Sequence, residues 1–403
     1  MPRMSSALRS ERVSALLLLG AAVLGLALAN SPVGPAVIAA QDEHLVLPGL
    51  DISIGHIVSD GLLAVFFFLV AIELKRELVI GELNSVGKAL LPAIAAVGGV
   101  AVPAGVYLAV VGVSGEPGLG GGWPIPTATD IAFALGVLAL FGSAIPTRVR
   151  VFLLALAVLD DLVAILIIAV FFTADADLVM LGGAVLAVAA FGLVSRLLRP
   201  RSPWLLTRRP VWPLIVLLVL IGAVAWYLTY RSGVHATIAG VALGLVMTRR
   251  PAGRVHHVLE PVSNGVVLPV FAFSAALVAI PQLGIGELSP AFWAIVVALP
   301  VGKLLGIAIA GGVSGALSAR RGREALRFAD ILVVGALGGI GFTVSLLMNE
   351  LAFADSPEVA DEGTLAVLLG SGISIAIAAV LVTLRSRHYA RLRDGRHPAV
   401  IGA

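Results

Sequence analysis

Apolar runs of about twenty residues recur from one end of this chain to the other, each long enough to cross the ~30 Å hydrocarbon core of a bilayer. No water reaches a backbone N–H or C=O there, so each run must close its own hydrogen bonds as a helix. Twelve such segments can be marked, at about residues 11–30, 58–80, 88–112, 127–142, 148–173, 177–199, 211–229, 232–248, 258–279, 290–315, 328–350 and 363–384. They predict an all-α integral membrane protein with twelve transmembrane helices. Composition excludes the soluble alternative: of 403 residues 59% are hydrophobic and only 13% charged, against about 25% charged in a soluble domain. The absence of cysteine excludes disulfides, thiolate metal sites and a cysteine nucleophile.

Alternate connections collect the positive charge. Arg3, Arg9 and Arg12 precede segment 1; Lys75, Arg76 and Lys88 flank the second connection; Arg148 and Arg150 follow segment 4. Arg196, Arg199, Arg201, Arg208 and Arg209 follow segment 6, and Arg249, Arg250 and Arg254 follow segment 8. Arg320, Arg321, Arg323 and Arg327 follow segment 10, and Arg385, Arg387, Arg391, Arg393 and Arg396 lie in the basic tail, 385–403. The intervening connections hold almost no Lys or Arg, apart from Arg231. The positive-inside rule therefore places both termini in the cytoplasm. This topology accounts for the net charge of +3, so the partner it implies is the lipid bilayer and no nucleic acid. Segment 1 reads as an uncleaved helix despite Ala27-Leu28-Ala29, because its apolar core exceeds that of a signal peptide and further spans follow. The extracytoplasmic stretch 31–57 alternates around Pro48-Gly49 and reads as a β-hairpin between Glu43 and Ile54.

A charge at the bilayer centre costs at least ~2.5 kcal/mol and so needs a reason. Asp160 and Asp161 lie about fifteen ångströms into segment 5 at the helical rise of 1.5 Å per residue. Neighbours on a helix point about 100° apart, so the two carboxylates can face one cavity and meet different partners. One aspartate would suffice for a structural ion pair; two adjacent ones point to function. Burial disfavours the charged carboxylate. Such a group can hold a proton, or release it and hold a hard cation by its oxygens. Lys303, in Pro300-Val301-Gly302-Lys303, is too deep in segment 10 to snorkel and needs a buried anion or a helix C-terminus.

Segment 4 opens with Trp123-Pro124-Ile125-Pro126-Thr127-Ala128-Thr129-Asp130, whose prolines interrupt a helix and whose Thr-Asp can cap one. Segment 11 contains Gly335-Ala336-Leu337-Gly338-Gly339-Ile340-Gly341, where glycine weakens the helix. Each is the middle member of a trio, segments 3–5 and segments 10–12. Interruptions at matching places in two halves point to inverted repeats with the site between them. Asp130 could then neutralise facing helix N-termini, and Lys303 facing C-termini.

At these residues the chain resembles the NhaA family of bacterial Na⁺/H⁺ antiporters. The matching blocks are Asp60-Gly61-Leu62-Leu63-Ala64-Val65-Phe66-Phe67, Glu73-Leu74-Lys75-Arg76-Glu77-Leu78, Thr129-Asp130-Ile131-Ala132-Phe133-Ala134-Leu135-Gly136, Asp160-Asp161-Leu162, Ser232-Gly233-Val234-His235-Ala236-Thr237, Gly302-Lys303 and Gly338-Gly339-Ile340-Gly341-Phe342-Thr343. They occur in the family's order over about residues 11–390. The resemblance implies one transmembrane transporter domain over 1–403, with crossed half-helices and alternating access. It implies electrogenic export of Na⁺ or Li⁺ in exchange for H⁺, serving pH and sodium homeostasis in a bacterial inner membrane. No enzyme activity and no cofactor are implied. Asp161 would bind Na⁺, with Asp160 beside it; both would bind protons, and Asp160 would pair with Lys303. Thr129 and Asp130 would lie at the crossing, and the hairpin would help form a homodimer. A pH response is linked to a cytoplasmic cluster, matched here by Glu73, Arg76 and Glu77. The loop into segment 9 departs from the family's order, reading His256-His257-Val258-Leu259-Glu260, with His257 and Glu260 as the candidates. His235 reads as a packed or capping histidine.

Other classes fit less well. An organic-anion carrier would not place two carboxylates at its site. An intramembrane aspartyl protease needs two carboxylates converging on one water, which adjacent residues do poorly. A retinal-bearing pump would need a chromophore pocket that twelve spans with 6% aromatic residues hardly supply.

Overall fold

The computed structural model describes residues 10–47, 50–81, 83–173, 176–199, 202, 210–281, 284, 286–320 and 326–394. The turn at Pro48-Gly49, the tail beyond 394, and Arg3, Arg9, Arg201, Arg208, Arg209, Arg321, Arg323 and Arg396 lie outside the described residues. The elements are α1 (Glu11–Ala29), α2 (Gly34–Gln41), β1 (His44–Leu47), β2 (Leu50–Ser53), α3 (Ile54–Val79), α4 (Val86–Ser114), α5 (Ile131–Phe141), α6 (Thr147–Phe171), α7 (Leu178–Ser195), α8 (Trp212–Arg231), α9 (Thr237–Val246), α10 (Arg249–Ala275), α11 (Pro290–Ala316), α12 (Phe328–Gly338), α13 (Phe342–Ala352) and α14 (Pro357–Asp394). The protein is an all-α membrane protein. Among the described residues nine helices are long and apolar enough to span a bilayer, and two further helix pairs, each bent at a short break, reach that length together.

The differences from the hydropathy reading have local causes. Segment 8 yields only the ten-residue α9, about 15 Å long and too short to span alone. Residues ahead of it are spent in a turn at Gly233, whose φ of 78° suits glycine. Segment 9 begins nine residues early, at Arg249, because the stretch before it is an amphipathic helix and not a loop. His256, His257 and Glu260 are therefore helical residues of α10, which corrects the loop placement. Segment 4 starts earlier as well, in 3₁₀ turns at Leu119–Gly122 and Ile125–Thr127. Pro124 and Pro126 cannot donate to an α-helical ladder, and this keeps the first half of that span from becoming α-helix. α14 is longer than segment 12 at both ends, running from Pro357 to Asp394.

Two compact units divide the chain, with one boundary inside α6 between Asp160 and Asp161. Unit 1 holds residues 17–84 and 161–280 of the described chain. Its core packs Ile72, Leu218, Ala225, Leu243 and Met247 around Phe191. α9 crosses α3 so closely that a Cβ on Gly240 would strike the Ala64 carbonyl. The strands β1 and β2 pair antiparallel, with His44 opposite Ser53 and Leu47 opposite Leu50.

Unit 2 holds residues 11–16, 85–160 and the described residues from 281 on. Here the order of long helix, broken helix, long helix occurs twice. The first set is α4, the pair 119–127 with α5 bent by 43°, and the start of α6. The second is α11, the pair α12 with α13 bent by 49°, and α14. α4 and α11 meet backbone to backbone where Gly98 faces Gly306, since a Cβ on either would overlap the other's carbonyl region. Small residues allow such close approach between membrane helices.

Candidate ion-binding site

The site in unit 2 grows from the two interruptions. After Pro126 the chain leaves its 3₁₀ turn, Ala128 is extended, and Asp130 caps α5 by accepting from the Phe133 N–H at 3.1 Å. In the other break, Gly339-Ile340-Gly341 separates α12 from α13. The breaks hold each other. The Asp130 N–H donates to the Ile340 carbonyl at 2.6 Å. Asp130 Oδ2 accepts from the Thr343 hydroxyl at 2.8 Å and from its N–H at 3.3 Å. The Ser345 hydroxyl donates to the Ile125 carbonyl at 2.7 Å. One buried carboxylate thus serves the N-termini of α5 and α13 together, where helix dipoles favour negative charge.

Thr129 turns the other way. Its hydroxyl lies 2.8 Å from the Gly338 carbonyl, at the C-terminal end of α12, and 2.7 Å from Asp160 Oδ2. Lys303 Nζ reaches the same Oδ2 at 2.5 Å. Lys303 is 0% exposed and Asp160 1%. A π-helical turn at Ala298–Gly302, containing Pro300, immediately precedes Lys303 in α11, and proline's missing N–H favours such a local widening. Asp160 Oδ1 is buried and takes no hydrogen bond among the described residues. An orphan carboxylate oxygen is costly unless something else claims it, and a proton or a hard cation can do so. Asp161 follows on α6 and is also buried.

The remaining sequence candidates lie in unit 1. Glu73, Arg76 and Glu77 occupy the last turns of α3, and Glu73 is within electrostatic reach of Glu260, Glu77 and Arg76. His256 Nδ1 lies 4.0 Å from Glu260 Oε2, one turn along α10, and His257 is its neighbour. His235 is buried with Nε2 3.2 Å from Asp60 Oδ1, while its Nδ1 meets the Thr237 hydroxyl at 2.8 Å.

Two further buried acids, Asp60 and Asp330, make ion pairs that the sequence does not announce. Asp60 is the partner of His235. Asp330, 0% exposed in the first turn of α12, accepts from Arg385 Nε at 2.7 Å and from the Tyr389 hydroxyl at 2.8 Å, both on α14. Arg385 also stacks on the Tyr389 ring, 4.7 Å from its centroid. Arg385 lies among the charges of the basic tail, so nothing in its sequence context points to a buried partner.

Many membrane-spanning helices, two interrupted ones locked at their breaks, and a buried carboxylate–ammonium pair beside them define a secondary transporter for a small cation. The chain belongs to the Na⁺/H⁺ antiporter 1 family, whose model matches residues 5–382. It is a multi-pass membrane Na⁺/H⁺ antiporter and not an enzyme. It is 60% identical over 392 residues to Na(+)/H(+) antiporter NhaA 2 of Clavibacter michiganensis subsp. michiganensis, covering 96% of this chain and 94% of that protein. It is 47% identical over 395 residues to the NhaA antiporter of Tropheryma whipplei strain TW08/27, covering 97% and 98%. Identity to the NhaA antiporter of Mycolicibacterium smegmatis is 44% over 406 residues, covering 97% and 90%.

Proposed function

We propose that this antiporter binds Na⁺ or Li⁺ through Asp161, with Asp160 beside it, and exchanges the cation for protons carried by the same two carboxylates. The observation that carries this reading is the buried Lys303–Asp160 pair with the orphan oxygen of Asp160, one residue from Asp161. When Asp160 has released its proton and no sodium is bound, Lys303 offsets its charge. A cation arriving at the carboxylates takes over that role, and protons leave. Since cation and protons compete for the same oxygens, neither is bound with the other, and exchange is obligatory. More protons enter than Na⁺ leaves, so exchange is electrogenic and exports sodium, serving pH and sodium homeostasis. Thr129 and Asp130 hold the half-helices whose ends bear on the site, and alternating access exposes it to each side in turn. The cluster of Glu73, Arg76, Glu77, His257 and Glu260 sets the pH response. One transporter domain spans the chain, with both termini and the basic tail in the cytoplasm. The protein resides in the bacterial inner membrane as a homodimer joined in part through β1 and β2.

Proteoliposomes with an acid interior test the exchange. External Na⁺ or Li⁺ should collapse the pH gradient while K⁺ does not, with a response that rises with pH as protons cease to outcompete the cation. No response to Na⁺ anywhere between about pH 6 and 9, a range wide enough to cross any shifted carboxyl titration, would refute it.

A further inference from the structure

α13 is a half-helix whose N-terminus lies at the crossing of the two breaks, and the first N–H groups of a helix find no partner inside it. The chain cannot supply one locally here. The residue at the N-cap is Gly341, which has no side chain. A Cβ in its place would strike Ser345 Oγ and the Leu299 side chain, and Ser345 cannot swing away without giving up the Ile125 carbonyl. No residue with a capping side chain therefore fits at 341. Asp130 reaches over from the other break and accepts from the Thr343 N–H and hydroxyl. Its second oxygen is already engaged by the Phe133 N–H. The Phe342 N–H is left over, and it donates to the hydroxyl oxygen of Ser371, on α14, at 3.2 Å. Ser371 is fully enclosed, with 1% of its surface exposed. The half-helix is thus capped by two side chains from two other elements, and the sodium-exchange reading gives a role to only one of them.

The far end of α13 is fixed to α14 as well. Asn349 Nδ2 donates to the Ala360 carbonyl at 2.7 Å and to the Thr364 hydroxyl oxygen at 3.2 Å. At the near end the Phe342 ring packs on Phe133 of α5, with centroids 4.8 Å apart, so α5 feels any shift of Phe342. What the Ser371 cap holds in place is the crossing itself. Asp130 serves both N-termini only while Thr343 stands opposite it, and Thr129, the residue before Asp130, meets Asp160 Oδ2. Without the Ser371 hydroxyl the Phe342 N–H is buried and unpaired, a cost that a small movement of the half-helix relieves. Such a movement pivots on the Asn349 end and draws Thr343 away from Asp130. We propose that Ser371 is a positioning residue for cation binding: it holds α13 in the register in which Asp130 joins the two breaks and Thr129 reaches Asp160. It touches neither the cation nor the proton. The proposal rests on the reading of Asp160 and Asp161 as the ion site.

The test compares the full-length parent with Ser371→Ala, Ser371→Thr and Ser374→Ala. Alanine deletes the acceptor and threonine keeps it. Ser374 lies on the same helix and is equally buried, but its hydroxyl donates to the Gly370 carbonyl of α14 itself, so its loss leaves the cap intact. Deuterium uptake by the peptide over residues 338–345 reads the cap without transport, and it should rise in Ser371→Ala alone. Initial rates over a sodium series in proteoliposomes read the effect on the site. The empty site can relax when the cap is lost and the occupied site cannot, so the loss falls on cation binding. In Ser371→Ala the Na⁺ concentration for half-maximal exchange should rise about three- to thirtyfold, the range set by one lost helix cap, with the rate at saturating Na⁺ largely kept. Ser371→Thr and Ser374→Ala should match the parent. Where Ser371→Ala is too unstable to purify, Ser371→Cys, whose thiol is a weak acceptor of similar size, gives the same two readouts. A lower maximal rate at an unchanged half-maximal concentration would make Ser371 a merely structural residue and overturn the proposal. Unaltered deuterium uptake in Ser371→Ala, or an equal effect in Ser374→Ala, overturns it as well. A parent that does not exchange Na⁺ at all refutes the ion-site reading and takes this proposal with it, whereas an active parent with an unaffected Ser371→Ala refutes this proposal alone.

Discussion

Thr129 has one hydroxyl proton and two acceptors in reach, Asp160 Oδ2 and the Gly338 carbonyl. Its hydroxyl therefore ties the charge state of Asp160 to the end of α12. When Asp160 is ionised it competes for that proton. When it carries a proton of its own, it can donate to Thr129 and leave the hydroxyl to Gly338. Thr129→Val keeps the side-chain shape and deletes this tie. A hydrogen bond to a charged group is worth about 1.5–3 kcal/mol, so we expect the Na⁺ concentration for half-maximal exchange to rise about tenfold or more. Initial rates over a sodium series in proteoliposomes measure this, and an unchanged half-maximal concentration would remove Thr129 from the site. At this scale the sequence was most informative where a residue was out of place. Lys303 stood out as the one cation in mid-segment, and it does meet Asp160. Asp60 and Asp330 did not stand out, because each lies near the end of an apolar stretch, where charge is expected.

Broken helices are the elements on which the site is built, and their causes could be read directly: prolines before Thr129, glycines around Gly338. What could not be read is which helix each half leans on. The first turn of α12 is anchored to α14 by Asp330 with Arg385 and Tyr389. This contact joins residues 55 positions apart, so it depends on packing and not on any local pattern. The amphipathic start of α10 is illegible to hydropathy for a related reason: its polar residues have the composition of a loop. The Asp330 anchor makes a thermodynamic prediction. Asp330→Asn leaves the Arg385 guanidinium half-sheltered without its carboxylate, and breaking one side of a buried pair costs about 3–5 kcal/mol. The single variant should unfold at a clearly lower temperature in detergent, and the Asp330→Asn/Arg385→Gln double variant should recover part of the loss. Additive losses in that cycle would mean that the pair is not coupled.

Across the whole molecule, hydropathy and the distribution of arginine were enough to identify a multi-pass membrane protein, and the order of motifs was enough to identify its family. The division of labour between Asp160 and Asp161 is a different matter. Both are buried neighbours on one helix, and the physics of burial treats them alike until partners are specified. The structure gives Asp160 its partners, Lys303 and Thr129; the assignment of the cation to Asp161 rests on the family resemblance. Competition between cation and proton for these carboxylates is the central claim, and calorimetry of Na⁺ binding to the purified protein tests it most directly. Titrations in two buffers of different ionisation enthalpy give the number of protons released per Na⁺ bound. Expected is a release of more than one proton per Na⁺ at a pH where the carboxylates are protonated, falling to none at high pH, and no sodium binding in Asp161→Asn. Sodium binding without proton release at every pH, or undiminished binding in Asp161→Asn, would contradict it.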